Sequence, residues 1–405
     1  MKPFYIDGEE VYSYPLLVEE IDKETDYCPL YKTTDTCAYW KNLLKALVGG
    51  QHVTLLDSDM SPNEIDGIDS TRLNVSVGIR HEPVETIERL VELVKNSESE
   101  ITIFTSGTTG QPKKIVHTVA SLTRTVRTGE KYGNNVWGFA YNPTHMAGLQ
   151  VFFQAFENMN TIVNLFGKNR TEIYDIIQRH WITHLSATPT FYRLLLPVGE
   201  TCPSVVRVTL GGERSDGYLY DTVRQIFPNA RVNNIYASTE AGALFSSKDD
   251  CFRIPESIRG MIKVSDGELL VHKSLLGKSK TMILDGDYYH SGDIIEWADE
   301  NEGTFRFVSR KNEMINAGGY KVNPEEVEQA LMSVEGIRQA LVYGKGNSVL
   351  GNVVCADIVL EPGSRLDAVG IRQSMQGRLQ DFKIPRRVRI VDELPLTRTG
   401  KLKRS

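Results

Sequence analysis

Short apolar runs alternate with segments of helical periodicity through most of the chain, a pattern that predicts an α/β architecture with mainly parallel sheets. Strands are expected at 53–56, 101–104, 137–140, 161–163, 205–210 and 232–236, and helices at 84–95, 119–129, 171–180 and 191–196. After about residue 245 the texture changes. Shorter strands bounded by Gly and Asp follow, as at 267–271 and 303–307, and these predict hairpins. A charged stretch, Ser309-Arg310-Lys311-Asn312-Glu313, then marks a boundary. Beyond it lie an amphipathic helix at 324–333, a strand pair around 340–342 and 353–359, and a further helix near 371–379, which together make a small α+β domain.

With 405 residues, of which 40% are hydrophobic and 24% charged, the chain reads as an ordinary folded protein of two to three domains. Its formal net charge of −6 argues against nucleic acid as the main partner, since phosphate backbones are bound through clustered Lys and Arg. Cys28, Cys37, Cys202, Cys251 and Cys355 are scattered and form no Cys-x-x-Cys spacing. They read as free thiols, which places the protein in the cytoplasm. The N-terminal residues include early acids and no apolar core, unlike a signal peptide, and no apolar run approaches a membrane span.

The densest chemistry lies in Thr105-Ser106-Gly107-Thr108-Thr109-Gly110-Gln111-Pro112-Lys113, behind an apolar run. Glycines let successive N–H groups converge on an anion, the hydroxyls add donors, and Lys113 supplies charge for outer phosphates. The spacing is not that of the NTPase P-loop. A plain turn from a strand into a helix would use similar residues. Further on, Tyr236-Ala237-Ser238-Thr239-Glu240 offers an aromatic, two hydroxyls and a carboxylate at a strand end. Glu240 could hold Mg²⁺ and Tyr236 could stack on a base, or the segment could be a capped helix start with a core Tyr. Tyr289-His290-Ser291-Gly292-Asp293 places Asp293 behind a glycine turn, where a carboxylate can accept from ribose hydroxyls; alone it would be a hairpin turn. Ala317-Gly318-Gly319 precedes a proline-led acidic helix start, and Pro395 to Lys401 reads Pro-Leu-Thr-Arg-Thr-Gly-Lys.

Taken together and in this order, these segments resemble the adenylate-forming superfamily of acyl- and aryl-CoA synthetases, free-standing adenylation domains and luciferases. The resemblance runs over about three quarters of the chain. Its Tyr-Gly-x-Thr-Glu, Tyr-x-Thr-Gly-Asp, Gly-Arg and Pro-x-Thr-x-x-Gly-Lys signatures correspond to the segments at Tyr236, Tyr289, Ser309-Arg310 and Pro395. Three departures stand out. Lys114 replaces a usual glycine, Asn312 occupies the hinge position, and the region before the phosphate loop is short.

The resemblance implies an α/β fold: a large N-terminal domain of stacked mixed and parallel sheets with helices, plus a small mobile α+β C-terminal domain. The expected boundaries are 1–309 with a shortened first subdomain, a hinge at 310–313, and a lid at 314–405. It implies that ATP activates a carboxylate to acyl-AMP, which a thiol then attacks to release AMP. Lys401 would supply charge between the two anions in the first step. Glu240 would hold Mg²⁺, while Thr105, Ser106, Gly107, Thr108, Thr109, Gly110 and Lys113 cradle phosphate. Nucleotide contacts would also come from Gly211, Gly212, Glu213, Tyr236, Ala237, Ser238 and Thr239, with Asp293 and Arg310 on the ribose. Gly318 and Gly319 would face the pantetheine arm after rotation about the hinge.

His145 matches the family's histidine or aromatic at the acyl pocket entrance, although a core histidine reads equally well. Met146 stands where amino-acid-activating relatives place Asp, so the acid is expected to be aryl or medium-sized and without an α-amino group. Its pocket would be lined partly by Ala187, Gly211, Gly212 and Ala241. CoA is the expected acceptor, a carrier-protein phosphopantetheine the alternative. A nucleotide-binding regulatory protein without catalysis is a third reading, disfavoured because Lys401, Glu240, Asp293 and Arg310 are all retained.

Overall fold

The computed structural model describes all residues except 1, 59, 61, 63, 64, 66, 106–111, 214, 216, 312, 318, 319, 348–350 and 397–405. At Thr105, Asn316, Tyr320, Lys321, Asn347 and Gly351 it describes the backbone alone. The predicted Ser106, Gly107, Thr108, Thr109, Gly110, Gly318, Gly319 and Lys401 therefore lie outside the described residues, as does Asn312.

Packing divides the chain into two compact units, and the division is not a single cut. The first comprises 1–262, 271–289 and 301–304; the second comprises 263–270, 290–300 and 305–405. The expected hinge at 310–313 falls inside the second unit.

In the first unit, six strands run parallel in the order Pro3–Asp7, Thr161–Asn164, Val136–Phe139, His184–Ala187, Arg207–Gly211 and Arg231–Ser238. Antiparallel strands flank them: Glu10–Ser13 at one side, Gly242–Ser247 and then Cys251–Arg253 at the other. Because neighbouring strands are parallel, their carboxyl ends share one edge, the place where open α/β sheets bind ligands. A second sheet places Leu30–Lys32, Val53–Leu56 and Glu100–Thr105 in parallel and returns antiparallel along Lys113–Thr118.

Aromatic packing fixes the helices that carry the site. On the helix Thr36–Val48, Trp40 is fully buried and stacks on Phe152 of the helix Met146–Phe156, with ring centroids 4.1 Å apart and planes at 13°. Such a pair contributes about 0.5–1.5 kcal/mol beyond its buried area. The helix Met146–Phe156 is apolar on nearly every face because it is buried on nearly every face. That is why the sequence shows no amphipathic stripe there.

One expectation of local structure is corrected and one alternative reading is set aside. The helix predicted over 119–129 ends at Thr123, after one capped turn in which Thr118 accepts from the Ser121 N–H. Beyond it Arg124 turns back into the protein, where its guanidinium donates to the carbonyls of Leu275 and Ala241. The segment around Tyr289 is not a hairpin turn either. It lies within the long strand Tyr288–Asp299, with left-handed Gly292 (φ +78°) interrupting the extended backbone.

In the second unit the strands Ile337–Asn347 and Gly351–Leu360 pair antiparallel, Ile315–Ala317 joins their sheet, and Arg387–Ile390 adds a parallel edge. The helix Pro324–Met332 is capped by Asn323, whose side chain accepts from the Glu325 N–H. Its Val327 and Leu331 pack with Val342, Val354, Ile358 and Ile371 into one core. Among the described residues no helix is long and apolar enough to cross a membrane, and all five cysteines are free.

Candidate active site

The Ser/Thr/Gly segment joins two antiparallel strands rather than a strand and a helix: Thr105 pairs with Lys113 across its base. Lys113 is half-buried and Lys114 exposed, as the alternation of a strand requires. Val53 pairs with Ile101 and Thr54 with Thr102, so by register Asp57 lies level with Thr105 at the loop's start.

Asp57 is the residue here that sequence reasoning did not assign a role. It is 4% exposed, and its Oδ2 accepts from Asn142 Nδ2 at 2.8 Å and lies 3.4 Å from His145 Nε2. Asn142 in turn accepts from the backbone N–H and hydroxyl of Thr144, both at 2.9 Å. The carboxyl end of one sheet is thereby tied to that of the other, and His145 is held at the start of the helix Met146–Phe156. His145 is not a fully buried core histidine: 23% of its side chain remains accessible. Met146 is buried at 4%. Spacing alone gives no sign of the Asp57 contact, since 88 positions separate it from His145 in the chain.

The strand ends nearby carry other predicted positions. Gly211 closes the strand Arg207–Gly211, and a Cβ there would stand 3.4 Å from the Tyr141 hydroxyl and 3.5 Å from the Ile235 carbonyl. Gly212 adopts φ +83°, a conformation side-chain-bearing residues rarely take. The Glu213 carboxylate accepts from the Thr190 N–H at 2.9 Å. Ala187 and Ala241 are buried.

Tyr236 through Glu240 form the end of the strand Arg231–Ser238 and the turn into Gly242–Ser247, a hairpin rather than a helix start. Ser238 Oγ accepts from the Ala241 N–H at 3.1 Å and tightens the turn. Tyr236 is half-buried, with its ring stacked on Phe245 at 5.4 Å between centroids. Glu240 is half-buried, and its carbonyl accepts from the Gly277 N–H at 2.7 Å.

His117 links this turn to the paired strands Glu100–Thr105 and Lys113–Thr118. It is 2% exposed, and its Nε2 lies 2.8 Å from the Thr239 carbonyl, which requires that nitrogen to be the donor. Burial lowers the His117 pKa below the ordinary histidine value, the Thr239 bond opposes the shift, and the charge of Arg124 adds to it.

Within the second unit, Arg310 Nε donates to Asp293 Oδ1 at 2.7 Å. Asp293 is 6% exposed, whereas about half of the Arg310 side chain is accessible. The two predicted ribose ligands are therefore partners of each other. Among the described residues no group of three or more His, Cys, Asp or Glu converges as a metal cage. A single carboxylate such as Glu240 suits Mg²⁺, which keeps waters and binds substrate phosphates alongside one or two protein oxygens.

Residues 34–264 match the AMP-binding enzyme family, and residues 326–401 match the AMP-binding enzyme C-terminal domain. The chain belongs to the AMP-binding enzyme family. It is thus a member of the adenylate-forming superfamily, as its motifs indicated. A 2-succinylbenzoate–CoA ligase of Staphylococcus aureus (strain Newman) is 25% identical over 92% of this chain and 81% of its own length. The fold is shared with o-succinylbenzoate CoA synthetase of Bacillus subtilis, solved with its acyl-adenylate intermediate. That structure has a TM-score of 0.72 and 19% identity, covering 99% of this chain and 94% of that one. It is shared also with the anthranilate CoA ligase AuaEII in complex with anthranoyl-AMP, with a TM-score of 0.76 and 16% identity over 99% and 92% of the two chains. The α/β class and the large-plus-small organisation read from the sequence agree with these matches.

Proposed function

We propose that this chain is an AMP-forming acid–thiol ligase that activates a carboxylic acid with Mg·ATP to acyl-AMP and transfers the acyl group to CoA. The observation that carries the reading is the correspondence with a CoA ligase over 92% of this chain and 81% of that one, together with both family domains in their order. On this reading the Lys113 hairpin receives the phosphates, and Tyr236 through Thr239 receive the adenosine with Gly211, Gly212 and Glu213. Asp293 and Arg310 hold the ribose. Lys401 would supply the positive charge that brings the attacking carboxylate and the α-phosphate together, most effective once water is excluded. Mg²⁺ on Glu240 would neutralise charge on the departing pyrophosphate. Residues 310–313 act as the hinge of a lid at 314–405, and Gly318 and Gly319 pass the thiol arm. The protein works in the cytoplasm, as its free thiols suggest.

The acid is aryl or medium-sized and lacks an α-amino group. Met146 offers no charge to an ammonium, and the neighbouring carboxylate, Asp57, is buried and engaged by Asn142 and His145. The relatives named for 2-succinylbenzoate and anthranilate, both aromatic acids, support the aryl choice.

The test is pyrophosphate release from Mg·ATP across aryl, fatty and amino acids, with and without CoA. Release with an aryl acid and consumption of CoA is expected. Release best supported by α-amino acids would refute the substrate class, and release without CoA consumption would shift the acceptor to a carrier protein.

A further inference from the structure

Glu268 is almost fully buried, with 5% of its side chain accessible, at the start of the strand Glu268–His272, whose next three residues are buried as well, while its partners His290 and Lys311 reach solvent. A carboxylate in such a place is costly unless donors surround it. Three do. His290 Nδ1 lies 3.0 Å from Oε2, Lys311 Nζ donates to Oε2 at 3.0 Å, and the Gly292 N–H donates to Oε1 at 3.0 Å. Burial by itself would raise the Glu268 pKa. The His290 and Lys311 contacts and the Gly292 bond reverse that and leave it below the usual glutamate value.

The donors are not a random selection of neighbours. His290 and Gly292 belong to the segment that ends in Asp293, and Lys311 follows Arg310 directly. Other bonds run the same way. Ser291 Oγ donates to the Leu269 carbonyl at 2.6 Å, the Asp293 N–H donates to Ser291 Oγ at 3.1 Å, and the Lys311 N–H donates to the Gly292 carbonyl at 2.7 Å. One carboxylate thus joins the two backbone segments whose side chains form the Asp293–Arg310 pair.

We infer that Glu268 is a positioning residue for ribose recognition: it clamps the His290–Gly292 and Lys311 segments so that Asp293 and Arg310 meet the ribose hydroxyls in a fixed arrangement. The inference rests on the proposed nucleotide site. Glu268 need not touch the nucleotide. Its effect comes through geometry, and small displacements of positioned groups cost large factors in recognition. Gly292 serves the same clamp, because its left-handed φ of +78° turns its N–H toward Oε1 without strain.

The test compares binding of AMP and of 2′,3′-dideoxy-AMP to the full chain by calorimetry, for the wild type, Glu268→Gln and Lys311→Gln. Wild type should prefer AMP, because a site built to bond hydroxyls rejects an analogue lacking them. Glu268→Gln keeps the shape and removes the charge that gathers His290 and Lys311. It should bind AMP roughly tenfold more weakly while binding the dideoxy analogue unchanged, so the preference collapses. Lys311→Gln, at an exposed side chain, removes one donor of three and should lose about threefold of the preference. If Glu268→Gln fails to unfold cooperatively, Lys311→Gln alone decides. Wild-type preference retained in a folded Glu268→Gln, or in Lys311→Gln where that variant decides, would overturn the clamp. A lower melting temperature with unchanged preference would make Glu268 merely structural and would overturn it equally. A wild type that binds neither nucleotide would instead refute the nucleotide site itself, and the clamp with it.

Discussion

Gly277→Ala should cost far more than one methyl group normally does, because of what stands opposite it. A Cβ at Gly277 would lie 2.5 Å from His117 Cε1, 2.7 Å from His117 Nε2 and 2.8 Å from Ile115 Cγ2. None of these atoms can swing into solvent, since His117 is 2% and Ile115 1% exposed. Relief requires the imidazole to leave its 2.8 Å contact with the Thr239 carbonyl. Overpacking costs about 1–3 kcal/mol, and the lost hydrogen bond about 0.5–1.5 kcal/mol more. A total of about 2–4 kcal/mol should lower the thermal midpoint of the unit that holds these residues by about 3–7 °C, given its size and an unfolding entropy of about 2.1 cal/mol/K per residue. Because Thr239 precedes Glu240 and His117 lies on the strand Lys113–Thr118, which leaves the proposed phosphate loop, KM for ATP should rise as well. Calorimetry and initial rates over an ATP series measure both. Introducing the same change beside His117→Ala should remove the part of the penalty that comes from the imidazole and leave the part that comes from the Ile115 contact. A midpoint within about 2 °C of wild type together with an unchanged KM would refute the reasoning.

Two further outcomes follow from particular groups. His184, beside Trp137 at 4.9 Å between rings, has its pKa lowered to about 4 by burial and the nearby charge of Arg207. Its stabilising contribution is complete above the unfolded-state value of about 6.5 and is lost as pH falls from there through about 4. A His184→Asn variant should therefore show a flatter loss of denaturant stability across that window; an unchanged slope would dismiss the role. Lys401→Ala should abolish acyl-AMP formation yet spare thioester formation from supplied adenylate, read by separate pyrophosphate and thioester assays. Loss of both steps together would contradict its assignment to the first alone.

Much of the architecture was legible in the residues because it rests on local signals. Turn chemistry and apolar runs located the strands Val53–Leu56, Glu100–Thr105 and Thr161–Asn164 to within a residue or so. Asn169 with Glu172 forms the capping box that starts the helix Arg170–Arg179, one residue before the expected 171–180. The helix Met146–Phe156 escaped notice because a segment buried all round carries no periodicity. The helix predicted past Thr123 failed because Arg124 finds better partners in two distant carbonyls than in solvent.

The same divide runs through the candidate site. Sequence by itself determined the chemistry: hydroxyls and glycines before Lys113, an aromatic and a carboxylate at Tyr236 and Glu240, and an Asp and an Arg at Asp293 and Arg310. These are fixed by residue type and order. Only the tertiary structure decided that Asp57 holds Asn142 and His145, that His117 holds Thr239, and that Glu268 gathers His290, Gly292 and Lys311. Each of these is a buried polar group whose partners lie far away in the chain. Burial is what makes its hydrogen bonds obligatory, and burial is a property of packed layers that no local spacing records.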